Sequence, residues 1–155
     1  MDIEKVIREN IAKTYHLSLG TSQNNQPWVS EVHFAYDDDL NLYFRSLTSR
    51  RHSQEIAANP NVAGNIVRQH TLDEIPLGIY FEGTAEKLNM GPEQQKAFEC
   101  IKDRLQASDN ILEEAQRPDG HQFYKITVNK FYIFGKLEES KGGQKYELQW
   151  SDGSR

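Results

Sequence analysis

The stretch from residue 15 to residue 46 restricts this chain most: it holds three alternating segments whose connections are too short for anything but antiparallel strands. Residues 15–21 place Tyr15, Leu17 and Leu19 on one face. After the polar cluster Ser22-Gln23-Asn24-Asn25-Gln26, Pro27 opens a second segment, residues 28–36. There Trp28, Ser30, Val32, Phe34 and Tyr36 share one face, and Val29, Glu31, His33 and Ala35 the other. Asp37-Asp38-Asp39 reads as a hairpin turn rather than a cation site, since Asp side chains readily hydrogen-bond within turns. Residues 40–46 form the third segment, and the pattern predicts a three-stranded antiparallel meander.

The remaining pattern is built around this unit. Ile3, Val6, Ile7 and Ile11 predict an amphipathic helix over residues 2–14, with Asp2 as its N-cap. A helix over residues 50–58 ends before Asn59-Pro60, and residues 62–68 form a strand. The long strand over residues 78–88 contains Gly83, which predicts a bend or bulge. Gly91-Pro92-Glu93 starts a helix with the apolar stripe Ala97, Phe98, Ile101 and Leu105. Residues 109–115 give a further helical turn. Residues 123–134 are strand-rich with an interruption near Asn129, and residues 146–150 add a last short strand. Lys141-Gly142-Gly143 reads as a flexible hairpin-like link. With no repeat and no dividing linker, one domain is expected over residues 1–150, with a frayed tail at 151–155. Many short antiparallel strands and few helices point to a barrel or sandwich.

Charge decides what such a domain can bind. A net charge of −5 argues against a general electrostatic hold on nucleic acid, so any anionic ligand must be caught by a local basic cluster. Cys100 is the only cysteine, which excludes a disulfide within the chain; beside a helix stripe it is expected to be buried and inert. The opening MDIEKVIREN is charged throughout, and no run of about 18 apolar residues occurs. The expectation is a cytoplasmic protein with neither leader nor membrane partner.

The local basic cluster exists. A strand ends in Arg45-Ser46, Leu47-Thr48-Ser49 turns, and a helix opens with Arg50-Arg51-His52. Hydroxyls, free N–H groups at a helix N-terminus and guanidinium groups each favour an anion. Positive charge in a first helical turn is mildly unfavourable for the helix itself, a misfit that a phosphate would relieve. The same spacing fits a solvated basic turn with Ser or Thr as an ordinary N-cap, and at this level both readings stand.

Five pieces in order resemble the FMN-binding split-barrel superfamily of pyridoxamine 5′-phosphate oxidase. They are Tyr15-His16-Leu17-Ser18-Leu19-Gly20-Thr21, Pro27 to Phe34, Leu42-Tyr43-Phe44 leading into Ser49-Arg50-Arg51-His52, Asn59-Pro60-Asn61-Val62-Ala63, and Phe81-Glu82-Gly83-Thr84-Ala85-Glu86. Phe134-Gly135-Lys136 and Trp150 further resemble a small subgroup of that superfamily. The resemblance implies a mainly β (α+β) fold: a six-stranded antiparallel split β-barrel with Greek-key topology and flanking short helices. It also implies a homodimer with FMN at the interface. Carried over residue by residue, Thr48, Arg50 and Arg51 would hold the phosphate with His52 close by, Phe44, Arg45 and Ser46 would line the ring edge, and Val32 would pack against the ring. Where many members place a phosphate-gripping arginine on the second strand, this chain has Ser30, followed by Glu31. The family's C-terminal pyridoxal-phosphate residues are not recognisable, so pyridoxamine oxidation is not expected.

The implied function is an FMN-dependent oxidoreductase or flavin reductase acting on a small molecule. The alternatives are a flavin- or haem-binding carrier of the same fold and a structural dimer without cofactor. No catalytic acid, base or nucleophile stands out, and no metal-ligand spacing occurs. His16 and His33 read as structural strand histidines, His70 and His121 as exposed loop residues, and Glu113-Glu114 as a solvated helix face. Trp28 fits a core, a ligand stack or an interface equally well.

Overall fold

The structure, a computed structural model, describes residues 2–74, 77–135 and 144–149. The expected link at 141–143, Lys136, Trp150 and the 151–155 tail lie outside the described residues. Helix α1 (Ile3–Ile11) is capped as predicted, Lys5 N donating to Asp2 Oδ1 at 3.1 Å, and it buries Ile7 and Ile11. Strands β1 (His16–Gln23) and β2 (Gln26–His33) pair from His16↔His33 to Gln23↔Gln26. Their turn puts Asn24 and Asn25 at φ 50° and 60°, the left-handed pair that matches hairpin twist. Then come β3 (Ala35–Tyr36), β4 (Leu42–Ser46), α2 (Arg51–Ala58), β5 (Asn61–Val67) and β6 (Leu77–Lys87). Helices α3 (Pro92–Leu105) and α4 (Ile111–Glu114) precede β7 (Gln122–Gly135) and β8 (Gln144–Gln149).

All strands join one antiparallel sheet in the order β2-β1-β5-β6-β7-β4-β3, with β8 on the far half of β7. The predicted meander is wrong in one respect. The 28–36 segment breaks at Phe34: its first part pairs with β1, its last two residues pair with β4, and β4 takes its other ladder from β7. Thus β2 and β3 stand at opposite ends of the sheet yet are one residue apart in sequence. The sheet must curl until its ends meet there, which makes it a barrel. The split barrel is as expected, but with eight strands instead of six among the described residues, because of the break at Phe34 and the addition of β8.

Curvature is helped by a bulge. Glu82 pairs with Lys130 and Gly83 with Val128, leaving Asn129 without a partner, so the interruption expected near Asn129 is a bulge within one 14-residue strand. A Cβ on Gly83 would lie 2.1 Å from Thr127 O, so only glycine permits this approach. Leu17, Leu19, Phe44, Phe81, Ile126 and Phe131 fill the barrel together with the buried face of α1. A second cluster packs α3 and α4 on the outside against Ala35, Tyr43 and Phe123. No described helix is long and apolar enough to cross a membrane.

Two polar fasteners hold the closure. Asp37 Oδ1 accepts from Asn41 N at 2.9 Å, and its Oδ2 accepts from Tyr43 Oη at 2.8 Å and faces Lys96 Nζ at 3.1 Å, confirming the turn. Burial alone would raise the Asp37 pKa; hydrogen bonds from Asn41 and Tyr43 outweigh it and hold the carboxyl below its ordinary value. Arg104 of α3 donates to Ile11 O at the end of α1 and to Thr14 O just after it, and lies over the rings of Tyr15, Phe34 and Tyr36.

Phe34 is fully buried where the sheet closes, and its N–H donates to Tyr15 O at 2.9 Å. Phe34→Ala is expected to cost about 3–5 kcal/mol in urea denaturation, the usual loss for a core phenylalanine. A loss under about 1 kcal/mol would show that the closure does not depend on this side chain.

Candidate functional site

Past Phe34, β2 and β4 run side by side without a ladder between them among the described residues. The gap is a cleft of about 720 Å³. Trp28, Ser30, Val32 and His33 form its β2 wall, and Arg45, Ser46 and Leu47 its β4 wall. Arg50, Arg51 and His52 from the start of α2 close one side, and Ile101, Leu105, Ala107 and His121 another.

Seven of the nine residues expected at a cofactor site therefore meet in one place: Ser30, Val32, Arg45, Ser46, Arg50, Arg51 and His52. Phe44 and Thr48 do not line it. Phe44 points into the barrel, stacked on Tyr124 with centroids 5.0 Å apart, and backs His52 at 6.2 Å. Thr48 sits at the corner of the turn in which Arg50 N donates to Leu47 O, and it faces a separate hollow with Lys87 and Gln94.

The three arginines differ. Arg45 donates from a terminal nitrogen to Glu114 Oε2 at 2.6 Å. Arg51 Nε donates to Glu55 Oε1 at 2.7 Å, and its guanidinium lies 4.3 Å above the Trp28 ring. The Arg51 hydrogen bond is the main reason the Glu55 carboxyl stays below its ordinary pKa, with Thr21 Oγ1 adding a second at 3.0 Å. Arg50 has neither ion pair nor side-chain hydrogen bond among the described residues. It occupies the N-cap of α2, which has no side-chain cap and no acid in its first turn. The cap is therefore neither Ser nor Thr, and no side chain among the described residues caps the first N–H groups of α2.

Behind the arginines lies a buried polar network. His52 Nε2 and Ser46 Oγ share a hydrogen bond at 2.8 Å, and Ser53 Oγ donates to Ser46 Oγ at 3.1 Å. Burial, and next the Arg50 charge, lowers the His52 pKa, so this imidazole is neutral near pH 7. Two polar atoms of cleft-lining residues, Ser30 Oγ and Arg45 Nε, are buried without a hydrogen-bond partner among the described residues. Such atoms are uncommon in native proteins and mark places where a ligand or ordered water completes the bonding.

Two readings from sequence are corrected here. Glu114 is not a solvated face residue: its side chain is 26% exposed and bridges Arg45 to His121. His121 is not simply exposed: both its backbone N and its Nδ1 meet Glu114 Oε1, at 3.0 and 2.8 Å, and its ring lines the cleft. The one local signal was the Arg117-Pro118-Asp119-Gly120 stretch, a turn that folds His121 back on Glu114. Cys100 is half-buried, and burial pushes its thiol pKa up, in keeping with an inert residue. No group of three or more His, Cys, Asp or Glu side chains among the described residues is placed to hold a metal ion.

The sequence pattern of the family described as pyridoxamine 5′-phosphate oxidase matches residues 3–135. No curated protein matches the chain at the sequence level. Solved structures share the fold. An FAD-binding protein from Mesorhizobium loti superposes with a TM-score of 0.65 at 18% identity, over 87% of this chain and 94% of that one. HutZ, the haem storage protein from Vibrio cholerae, gives 0.67 at 16% identity, over 83% and 91%. A haem-binding protein from Mycobacterium smegmatis gives 0.72 at 17% identity, over 92% of this chain but 55% of that longer one. At these identities the likeness establishes the fold alone.

Hydrogen bonds from the His121 backbone and ring, and then from Arg45, hold the Glu114 carboxyl down to about 2. A carboxyl whose pKa is lowered by folding stabilises the protein above its unfolded value and loses that contribution as pH falls through the folded one. Glu114→Gln is therefore expected to cost about 1–3 kcal/mol at pH 7. In urea denaturation the gap to the parent should narrow below pH 4.5 and close near pH 2. A gap that does not vary with pH would mean the carboxylate is not paired in solution.

Proposed function

This chain belongs to the pyridoxamine 5′-phosphate oxidase family, and from that premise we propose that it binds FMN in the cleft between β2 and β4 and acts as a flavin-dependent oxidoreductase or flavin reductase on a small molecule. The observation that carries the reading is Arg50: an unpaired guanidinium at the uncapped start of a helix, at the rim of a cleft whose walls hold two buried polar atoms without partners. An anion with a large planar polar body fits that combination.

Arg50 and the first N–H groups of α2 would take the phosphate. Arg51, held over Trp28 with its Nε bonded to Glu55, would add positive potential already shared with that carboxylate. Arg45 Nε, Ser46 and Ser30 Oγ would bond the ring's polar edge, and Val32 would pack on the ring. Phe44 would support His52 from behind, and Thr48 takes no contact in this arrangement. The flavin, when bound, supplies the redox chemistry, and the protein supplies binding, orientation and exclusion of water.

A homodimer is part of the proposal. β2 ends the sheet beside the open side of the cleft, and it exposes Trp28 at 42% and Val29 at 64%. A second copy over this strand would bury both and cover the cleft. His33 supports a second reading, a haem or flavin carrier. Its exposed imidazole lines the cleft and, among the described residues, makes only a ring contact with His16, at 6.4 Å.

The visible spectrum of the purified protein separates these. Flavin bands bleached by NAD(P)H support the enzyme, flavin bands without turnover the carrier, and a Soret band lost in His33→Ala the haem reading. Arg50→Ala is expected to weaken FMN about 10- to 100-fold while leaving riboflavin within about twofold, since the lost contact is a hydrogen bond to a charged group. Arg51→Ala should cost less, because its guanidinium is already paired. Equal losses for both ligands would place the phosphate elsewhere.

A further inference from the structure

One group in the cleft is built for proton chemistry and is left over by the binding roles above. His121 is held twice by one carboxylate oxygen, through its backbone N–H and through ring Nδ1, while the other oxygen takes Arg45. An ionised carboxylate only accepts hydrogen bonds, so the proton on a neutral His121 must sit on Nδ1. Nε2 then has no protein partner among the described residues, and the ring lines the cleft beside the apolar Ile101, Leu105 and Ala107. The cleft's other imidazoles lack this arrangement. His52 is buried and spends Nε2 on Ser46, and His33 has no carboxylate to set its tautomer.

We propose that His121 is the acid–base residue of the cleft, presented through Nε2 by the positioning residues Glu114 and Arg45, and that the substrate is a largely apolar carbonyl or quinone whose reduction takes up a proton. This rests on the flavin reading for its source of electrons. A bound reduced flavin would supply the hydride to one atom of the substrate double bond, the displaced π pair would move to the other, and that atom would take the proton from Nε2 of the imidazolium. His121 is left neutral with its proton on Nδ1. Solvent, to which 44% of its side chain is open, restores the proton on Nε2. The carboxylate makes the imidazolium a paired charge rather than an isolated one, as in other carboxylate-oriented histidines.

The test uses the full chain and two measurements. Long-range ¹H–¹⁵N NMR of the histidine rings should show neutral His121 protonated on Nδ1, and a mixture of tautomers in Glu114→Gln. A proton on Nε2 in the parent, or an unchanged tautomer in the variant, overturns the proposal. In the second, FMN-loaded protein is reduced and oxidised with menadione across a pH series. His121→Gln should lower the rate about 100-fold and remove one limb of the pH profile. Its FMN affinity should stay within about twofold of the parent. Glu31, His33, Arg45, Arg50, Arg51 and His52 face the same cleft, so the control is His70→Gln, an exposed histidine outside it, which should keep both rate and profile. An unchanged rate and profile in His121→Gln overturns the proposal. A parent that takes up no FMN overturns the flavin reading instead, while the ring-proton measurement, which needs no flavin, judges the His121 assignment by itself.

Discussion

The covalent link through Phe34 governs the architecture. One residue joins the two end strands of the sheet, so the sheet can satisfy its ladders only by curling on itself. Closure is complete on one side of Phe34, where β3 pairs with β4. On the other side β2 and β4 diverge with no ladder, and each presents side chains to the gap. The cleft is thus the geometrical remainder of a barrel closed at one point. Its walls are strands held by β1 on one side and β7 on the other, which makes it a rigid place to hold a ligand.

Electrostatics divides that cleft. Two of its arginines are neutralised by Glu55 and Glu114, and among the described residues only Arg50 carries charge not already committed to an acid. A net charge of −5 over the whole chain would repel anions at long range, so one free guanidinium at a helix start acts mainly at contact distance. The paired arginines serve geometry: Arg51 is held over the Trp28 ring, and Arg45 is drawn toward Glu114 with its Nε buried.

What could be read from sequence follows the range of the interactions. Most of the candidates lie between Arg45 and His52, within one strand–turn–helix unit, so local spacing alone brings five of them (Arg45, Ser46, Arg50, Arg51 and His52) to one cleft, whereas Ser30 and Val32 on the second strand came only with the family resemblance. The break at Phe34 was invisible, because the apolar alternation of Trp28, Ser30, Val32, Phe34 and Tyr36 continues through it without a fault. Only competition from β7, which takes β4 through Leu42↔Ile126 to Ser46↔Gln122, shows that the meander cannot form. Glu114 and His121 were missed for the same reason. Arg45 and Glu114 are 69 residues apart, and an acid on a short helix looks solvated until its distant partner is known.

The third wall of the cleft shows how far closure and site depend on one another. Ile101 and Leu105 belong to α3, which lies outside the barrel and is fastened to it by Lys96 on Asp37 and by Arg104 on the end of α1. Asp37 lies in the turn between β3 and β4, and Arg104 covers the ring of Phe34 itself. The same contacts that close the sheet therefore set the position of α3, and through it the apolar side of the cleft. Glu114 follows on α4, packed in the same outer cluster, and bonds back to Arg45 on β4. A change at the closure would thus move the apolar wall and the Glu114–His121 pair together, while Arg50 and the start of α2, which hang from the other end of β4, would be displaced less. The proposed anion contact at Arg50 and the proposed proton delivery through His121 thus hang from different parts of the fold.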